Sequence, residues 1–185
     1  MRWPELLVAG AAVVLGLGAV VSLSAQSMPL APLHVGDAFP RLEGEFLSGR
    51  KAVLPDAAAG KTALVLMGFT YQSRFVVEAW ATPVRKALAA RESATFFEVP
   101  VLGGMARMGK WFIDRGMRNG TPKELHENVI TLWGGVDRWK TLMQFSRAAE
   151  DDAYLALIGK DGRVRWLHHG PYSVETLNAM LAAFP

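Results

Sequence analysis

Apolar residues along this 185-residue chain change their period several times, and each change marks an element. Residues 62–69 form a continuous apolar run, TALVLMGF, the pattern of a strand buried on both faces. From Ser73 the period becomes helical. Val76, Val77, Trp80, Val84, Ala87 and Leu88 share one stripe, with Arg74, Glu78, Arg85 and Arg91 elsewhere. Pro83 predicts a kink in that helix, because it removes a backbone bond and crowds the carbonyl of Ala79. Residues 95–102 read as a second buried strand, stopped by Gly103-Gly104. Upstream, residues 42–47 and 52–54 form a short hairpin turning at Ser48-Gly49.

The middle of the chain reads as helical. Over residues 105–117 the spacing puts Met108, Trp111 and Phe112 on one face and assigns that face to the core; a membrane surface or partner helix is the alternative. Asn119, Gly120, Thr121 and Pro122 spell a stop and a new start, with Thr121 as N-cap and Pro122 at the first helical position. Two more helices are predicted over 123–132 and 136–145, split by Gly134-Gly135. Strands over 153–158 and 163–168 join at Lys160-Asp161-Gly162, a hairpin signal. Ser173 caps a last helix carrying Leu177, Met180 and Leu181.

The N-terminus differs from all of this. Residues 6–23 are uncharged and apolar, at the short end of what spans a bilayer. The expected organisation is a membrane anchor or signal peptide over 1–25, a linker over 26–34 and one domain over 35–185. An uncleaved anchor in the inner membrane would hold the domain in the periplasm; cleavage near Ser22-Leu23-Ser24-Ala25 would release it there. The net charge of +3 comes from scattered residues with no dense basic stripe, so nucleic acid is not an expected partner. The chain has no cysteine. An exported domain of about 150 residues without disulfides relies on its core, which is large enough at that size.

The order hairpin, strand, helix, strand, helices, hairpin, helix implies an α/β sandwich with parallel strands inside and an antiparallel final hairpin. Val35-Gly36-Asp37-Ala38-Phe39-Pro40, Leu54 and Gly60-Lys61 resemble the opening of redoxin and peroxiredoxin-like domains. Tyr154-Leu155-Ala156-Leu157-Ile158 with Asp161-Gly162-Arg163-Val164-Arg165-Trp166 resembles their final hairpin. The resemblance covers most of residues 35–183 and implies a thioredoxin-like fold. Gly68-Phe69-Thr70-Tyr71 is similar to the turn of Sco-type copper chaperones, whose paired cysteines are here Gln72 and Val76. A peroxidatic cysteine is missing, and Glu150-Asp151-Asp152-Ala153 lacks the proline that thioredoxin-like reductases place before this strand. The losses fit best a resemblance to the thioredoxin-like assembly factors of the mitochondrial ATP synthase, through residues 154–157, Arg163-Val164-Arg165-Trp166 and Gly170. Trp80-Ala81-Thr82-Pro83 and Arg118, Pro122 and His126 are looser matches.

Tyr71, Gln72, Ser73 and Arg74 fall where a strand opens into a helix, the position of the reactive turn in that fold. One reading is a docking surface at a helix N-terminus, which carries free N–H groups and positive potential; the other is a plain cap by Thr70 or Ser73. Arg165 alternates with Trp166, so with Trp166 inward it is a candidate for a partner carboxylate, or else a charge protecting a sheet edge. Adjacent His168 and His169 point to opposite faces of a strand, so no metal site is expected, nor any cofactor. Glu150, Asp151 and Asp152 read as a solvated loop, and no residue reads as a nucleophile. The expectation is a redox-inactive binder that helps a membrane or exported protein assemble. A divergent redoxin using a partner's thiol, and a structural subunit of a membrane complex, are the alternatives.

Overall fold

The computed structural model describes residues 30–184. The expected anchor or signal over residues 1–25 lies outside them. Among the described residues no helix is long and apolar enough to cross a membrane. Seven strands form one sheet: β1 (Leu42–Phe46), β2 (Lys51–Leu54), β3 (Thr62–Gly68), β4 (Ala94–Leu102), β5 (Ile130–Trp133), β6 (Ala153–Ile158) and β7 (Val164–Gly170), in the order β2-β1-β5-β4-β3-β6-β7. The central strands β3, β4 and β5 are parallel; β6 runs antiparallel to β3, and β7 turns back antiparallel to β6 as a terminal hairpin.

The apolar run of β3 is buried along its whole length because both faces of the sheet are covered. Alternate side chains go to opposite sides. Ala63, Val65 and Met67 join Phe39, Trp139, Leu142 and Tyr154 on one face, while Leu64 and Leu66 join Val77, Trp80, Val84 and Met180 on the other. The second layer comes from α1 (Ser73–Leu88) and α4 (Val174–Ala182), the first from α3 (Val136–Leu142) and the N-terminal segment. Ser173 caps α4, its hydroxyl accepting the N–H of Thr176. Pro83 sits inside α1, which continues to Leu88; Ala79, whose carbonyl loses its bond, is exposed to water. Leu33, within the expected linker, is buried and donates its N–H to Leu142, so the folded unit begins earlier than the spacing predicts.

Two stretches depart from the sequence expectations. Residues 123–132 contain only a short 3-10 turn, Lys123–Leu125, and then β5, which slots between β1 and β4. Ile130, Thr131 and Leu132 are buried, and the sheet's demand for β-branched and aromatic side chains overrides the helical pattern. Thr121 accordingly closes the preceding helix in an extended conformation, and Pro122 is not helical. Upstream, residues 105–117 split into a 3-10 turn (Gly104–Gly109) and α2 (Lys110–Gly120). The face is inverted relative to the expectation: Met108 in the turn and Trp111 and Phe112 in α2 are 90%, 61% and 73% exposed, while Asp114 is buried. Asp114 takes a hydrogen bond from Lys110 at 2.5 Å, and Lys110 also donates to Glu45 on β1. Arg118 donates to the carbonyl of Leu47 at 2.7 Å. This inward polar network fixes which side of the helix faces the sheet. Burial opposes the charge on Lys110, but its bonds to Asp114 and Glu45 outweigh that and raise its pKa above the ordinary lysine value.

Candidate functional site

The end of β3 turns through Gly68-Phe69-Thr70-Tyr71 into α1, and hydrogen bonds hold the turn closed. The hydroxyl of Thr70 accepts the N–H of Ser73 at 3.0 Å, while the Thr70 N–H donates to the Ser73 hydroxyl at 3.2 Å. This reciprocal pairing has the form of a capping box with serine in place of the usual acid, set in the turn just ahead of α1, whose own N-cap residue is Gln72. The Ser73 hydroxyl also donates to the Thr70 carbonyl. Ser73 is fully buried, and a Cβ at Gly68 would come within 2.6 Å of its Oγ, so only glycine fits beneath it. Of the four predicted docking residues, Ser73 is therefore structural.

Tyr71, Gln72 and Arg74 face solvent. The guanidinium of Arg74 lies 4.0 Å from the Tyr71 ring centre and 4.4 Å from that of Phe75, and both rings are exposed. Such an arrangement holds a cation on a flat aromatic platform. Arg74 also lines a cavity of about 480 Å³ between the turn, the end of β4 and α2, whose other walls include Tyr71, Pro100, Ile113 and Met117. A smaller cavity of about 140 Å³ lies beside it, between Arg74, Val77, Glu98 and Thr121.

Glu98, on β4, was not among the sequence candidates. Burial, reinforced by the negative charge of Glu78 and offset by Arg85, raises its pKa to about 7. A single acid inside the apolar run of residues 95–102 is the signal that could have found it.

The loop before β6 is built rather than simply solvated. Asp151 accepts the Thr70 hydroxyl at 2.6 Å, tying that loop to the turn. Asp152 lies 2.9 Å from Nδ1 of His169, whose ring stacks on Tyr154. His168 stacks on Trp166, and burial together with the charge of His169 lowers its pKa. No group of three metal-ligating side chains occurs among the described residues.

Arg165 does not join this site. Tyr154 pairs with Met67 at the turn end of the sheet, whereas Ile158 pairs with Ala63 and Val164 at the other end. Arg165 is the extra residue of a β-bulge there, folded over Gly159 with its guanidinium 2.6 Å from Asp161. Trp166 packs inward on the α1 and α4 side of the sheet, opposite to Val164, because the bulge breaks the strand's alternation. Two residues of the ATP-synthase-factor resemblance do meet: the indole N–H of Trp80 donates to the carbonyl of Gly170 at 3.0 Å. Gly170 has φ +136°, a conformation suited to glycine.

No family model and no curated relative matches the sequence. Solved structures do. The chain is similar to an exposed lipoprotein thioredoxin of Streptococcus pneumoniae, with 16% identity over 77% of this chain and 98% of that one, at a TM-score of 0.51. It is also similar to a protein assigned as a thiol:disulfide interchange protein of Chlorobium tepidum, with 17% identity, coverage of 82% and 98% and a TM-score of 0.54. An uncharacterised conserved protein of Geobacillus kaustophilus matches with 12% identity, coverage of 82% and 82% and a TM-score of 0.55. These likenesses show the fold: a mixed α/β, thioredoxin-like domain. Thiol–disulfide exchange needs a thiolate, and this chain has none to give.

Proposed function

We propose that this domain is a binder rather than a thiol enzyme, and that it assists assembly of a membrane or exported protein by holding a segment of it. The observation behind the reading is the cavity at the turn. Where the fold presents its reactive surface, the chain offers an aromatic–arginine platform and an adjoining groove instead of cysteine. Apolar client side chains would enter the groove, and client carboxylates would pair with Arg74. Residues 6–23 would anchor the domain at the inner membrane with the groove in the periplasm. The ATP-synthase-factor resemblance makes a multisubunit membrane complex the preferred client, and the Trp80–Gly170 contact is consistent with it.

Photo-crosslinking tests this directly. A photoreactive residue at position 71 of the full-length chain, expressed in membranes, is expected to trap one protein whose yield falls severalfold with Arg74→Ala. The same probe at Lys160, at the other end of β6, traps none of it. Equal yields from both positions overturn the reading. So does turnover of a disulfide or peroxide substrate by the purified chain alone, which would favour a redoxin with a non-thiol site.

A further inference from the structure

Among the described residues, neither apolar cluster takes up the outward side of α2 and of the 3-10 turn that leads into it. Met108 in that turn and Trp111 and Phe112 in the first turn of α2 are exposed. The Trp111 and Phe112 rings pack edge-to-face at 4.8 Å, so the two rings form one exposed apolar surface with Met108 three residues upstream of Trp111. Isolated exposed apolar residues are ordinary, but a contiguous patch marks an interaction surface. The patch is held outward by the inward network of Lys110, Asp114 and Arg118, which uses up the polar side of the helix.

Charge decides what fits it. Residues 104–120 contain four basic residues and one acid, and that acid is Asp114, buried beneath the helix. The outer face therefore carries no carboxylate. Arg115 lies with its guanidinium 5.2 Å from the Trp111 ring centre, placing a cation at the rim of the apolar patch. Indole, phenyl and thioether groups with arginine at their edge suit a bilayer interface, where rings enter the acyl boundary and guanidinium meets phosphate. The chain outside the described residues adds a second argument. The apolar run ends at residue 23, seven positions before residue 30, and seven extended steps reach about 24 Å. An inserted run would keep the domain within reach of the lipid surface.

We infer that α2 and the turn before it dock on an anionic phospholipid surface through Met108, Trp111 and Phe112, with Arg115 pairing to headgroup phosphate. The cavity lined by Tyr71, Arg74 and α2 would then open beside the membrane, where a client's transmembrane or juxtamembrane segment emerges. The docking itself stands apart from the client-binding reading; only this placement of the groove rests on it.

The cysteine-free chain allows a clean test, since any introduced cysteine is the sole thiol. Full-length variants Phe112→Cys, Lys160→Cys and Val14→Cys are spin-labelled and reconstituted into phosphatidylcholine vesicles with and without phosphatidylglycerol. The label at 112 is expected to become oxygen-accessible and nickel-shielded when phosphatidylglycerol is present, while the label at 160 stays nickel-accessible. Adding Trp111→Ser and Arg115→Glu is expected to return position 112 to water. If position 112 remains as nickel-accessible as 160, the inference is overturned whatever position 14 shows. Shielding of 112 in detergent without lipid also overturns it, in favour of a protein–protein contact. Shielding of 112 with position 14 in water supports the docking face and removes the tether. Loss of client crosslinking at position 71 leaves these readouts untouched, so the two readings fail separately.

Discussion

Glu98 sits in a wall of the smaller cavity with its carboxyl largely withdrawn from water, and its pKa is about 7 against 4.5 for a free glutamate side chain. Between those values the folded chain keeps a proton that the unfolded chain has released. Stability therefore falls as pH rises from about 4.5 through about 7, and levels off above. The full effect is of order 3 kcal/mol, reduced by whatever water reaches the group. Glu98→Gln is expected to match the parent in urea unfolding at pH 4 and to exceed its stability by about 1–3 kcal/mol at pH 8. Parallel curves for the two proteins across this range would show that the carboxyl is solvated. Thr70 makes the opposite kind of contribution, joining the Ser73 N–H and Asp151 through one hydroxyl. Thr70→Val is expected to cost about 1–2 kcal/mol, and an unchanged midpoint would mean that the capping box adds nothing. The cap was legible in the sequence as an alternative to docking, and Ser73 resolves to the cap. Glu98 was not legible, because residue order shows a charge in a strand but not the cavity beside it.

At the scale of elements, the well-read pieces are those whose periodicity and boundaries agree. β3, α1, the β6–β7 hairpin and α4 each combine a consistent apolar period with a turn or cap residue. β5 reads ambiguously because three apolar residues and a threonine fit a helical turn as well as a strand, and its identity comes from neighbours remote in sequence, β1 and β4. The α2 stripe was correctly grouped and wrongly oriented. Periodicity says which residues share a face; Glu45 and the Leu47 carbonyl, about 65 to 70 residues upstream, decide which face turns in. The inversion predicts an unusual mutational pattern. Trp111→Ala, ordinarily among the most damaging substitutions in a helix packed on a sheet, is expected to change stability by no more than about 0.5 kcal/mol. Asp114→Ala is expected to cost about 1–3 kcal/mol, because Lys110 then loses its nearest partner. Reversal of that order in denaturant unfolding would restore the buried stripe that the spacing first suggests.

Across the whole molecule, the sheet is joined unevenly. β3 pairs with β4 over seven residues and with β6 over five, whereas β5 pairs with β4 and with β1 over two each. The β1–β2 hairpin thus reaches the parallel core through a narrow seam, reinforced by the Arg50–Glu127 ion pair and by the bond from Arg118 to Leu47. The seam is tightly fitted, since a Cβ at Gly44 would come within 2.5 Å of the Ile130 side chain. It also lies beneath α2, which bonds to Glu45 and Leu47, so the face inferred to meet lipid and the weakest junction of the sheet share one support. Local opening follows contact density, so the hairpin and α2 are expected to open together below the global unfolding free energy. Native-state hydrogen exchange checks this. Amides of β1 and β2 are expected to exchange through an opening of lower free energy than those of β3 and β6, with Ile130→Ala widening the gap while leaving β3 and β6 unchanged. Anionic vesicles, by holding α2, are expected to raise protection in β1 and β2 as well. Uniform protection across all seven strands, or a vesicle effect confined to α2, would mean that docking and the hairpin seam are uncoupled.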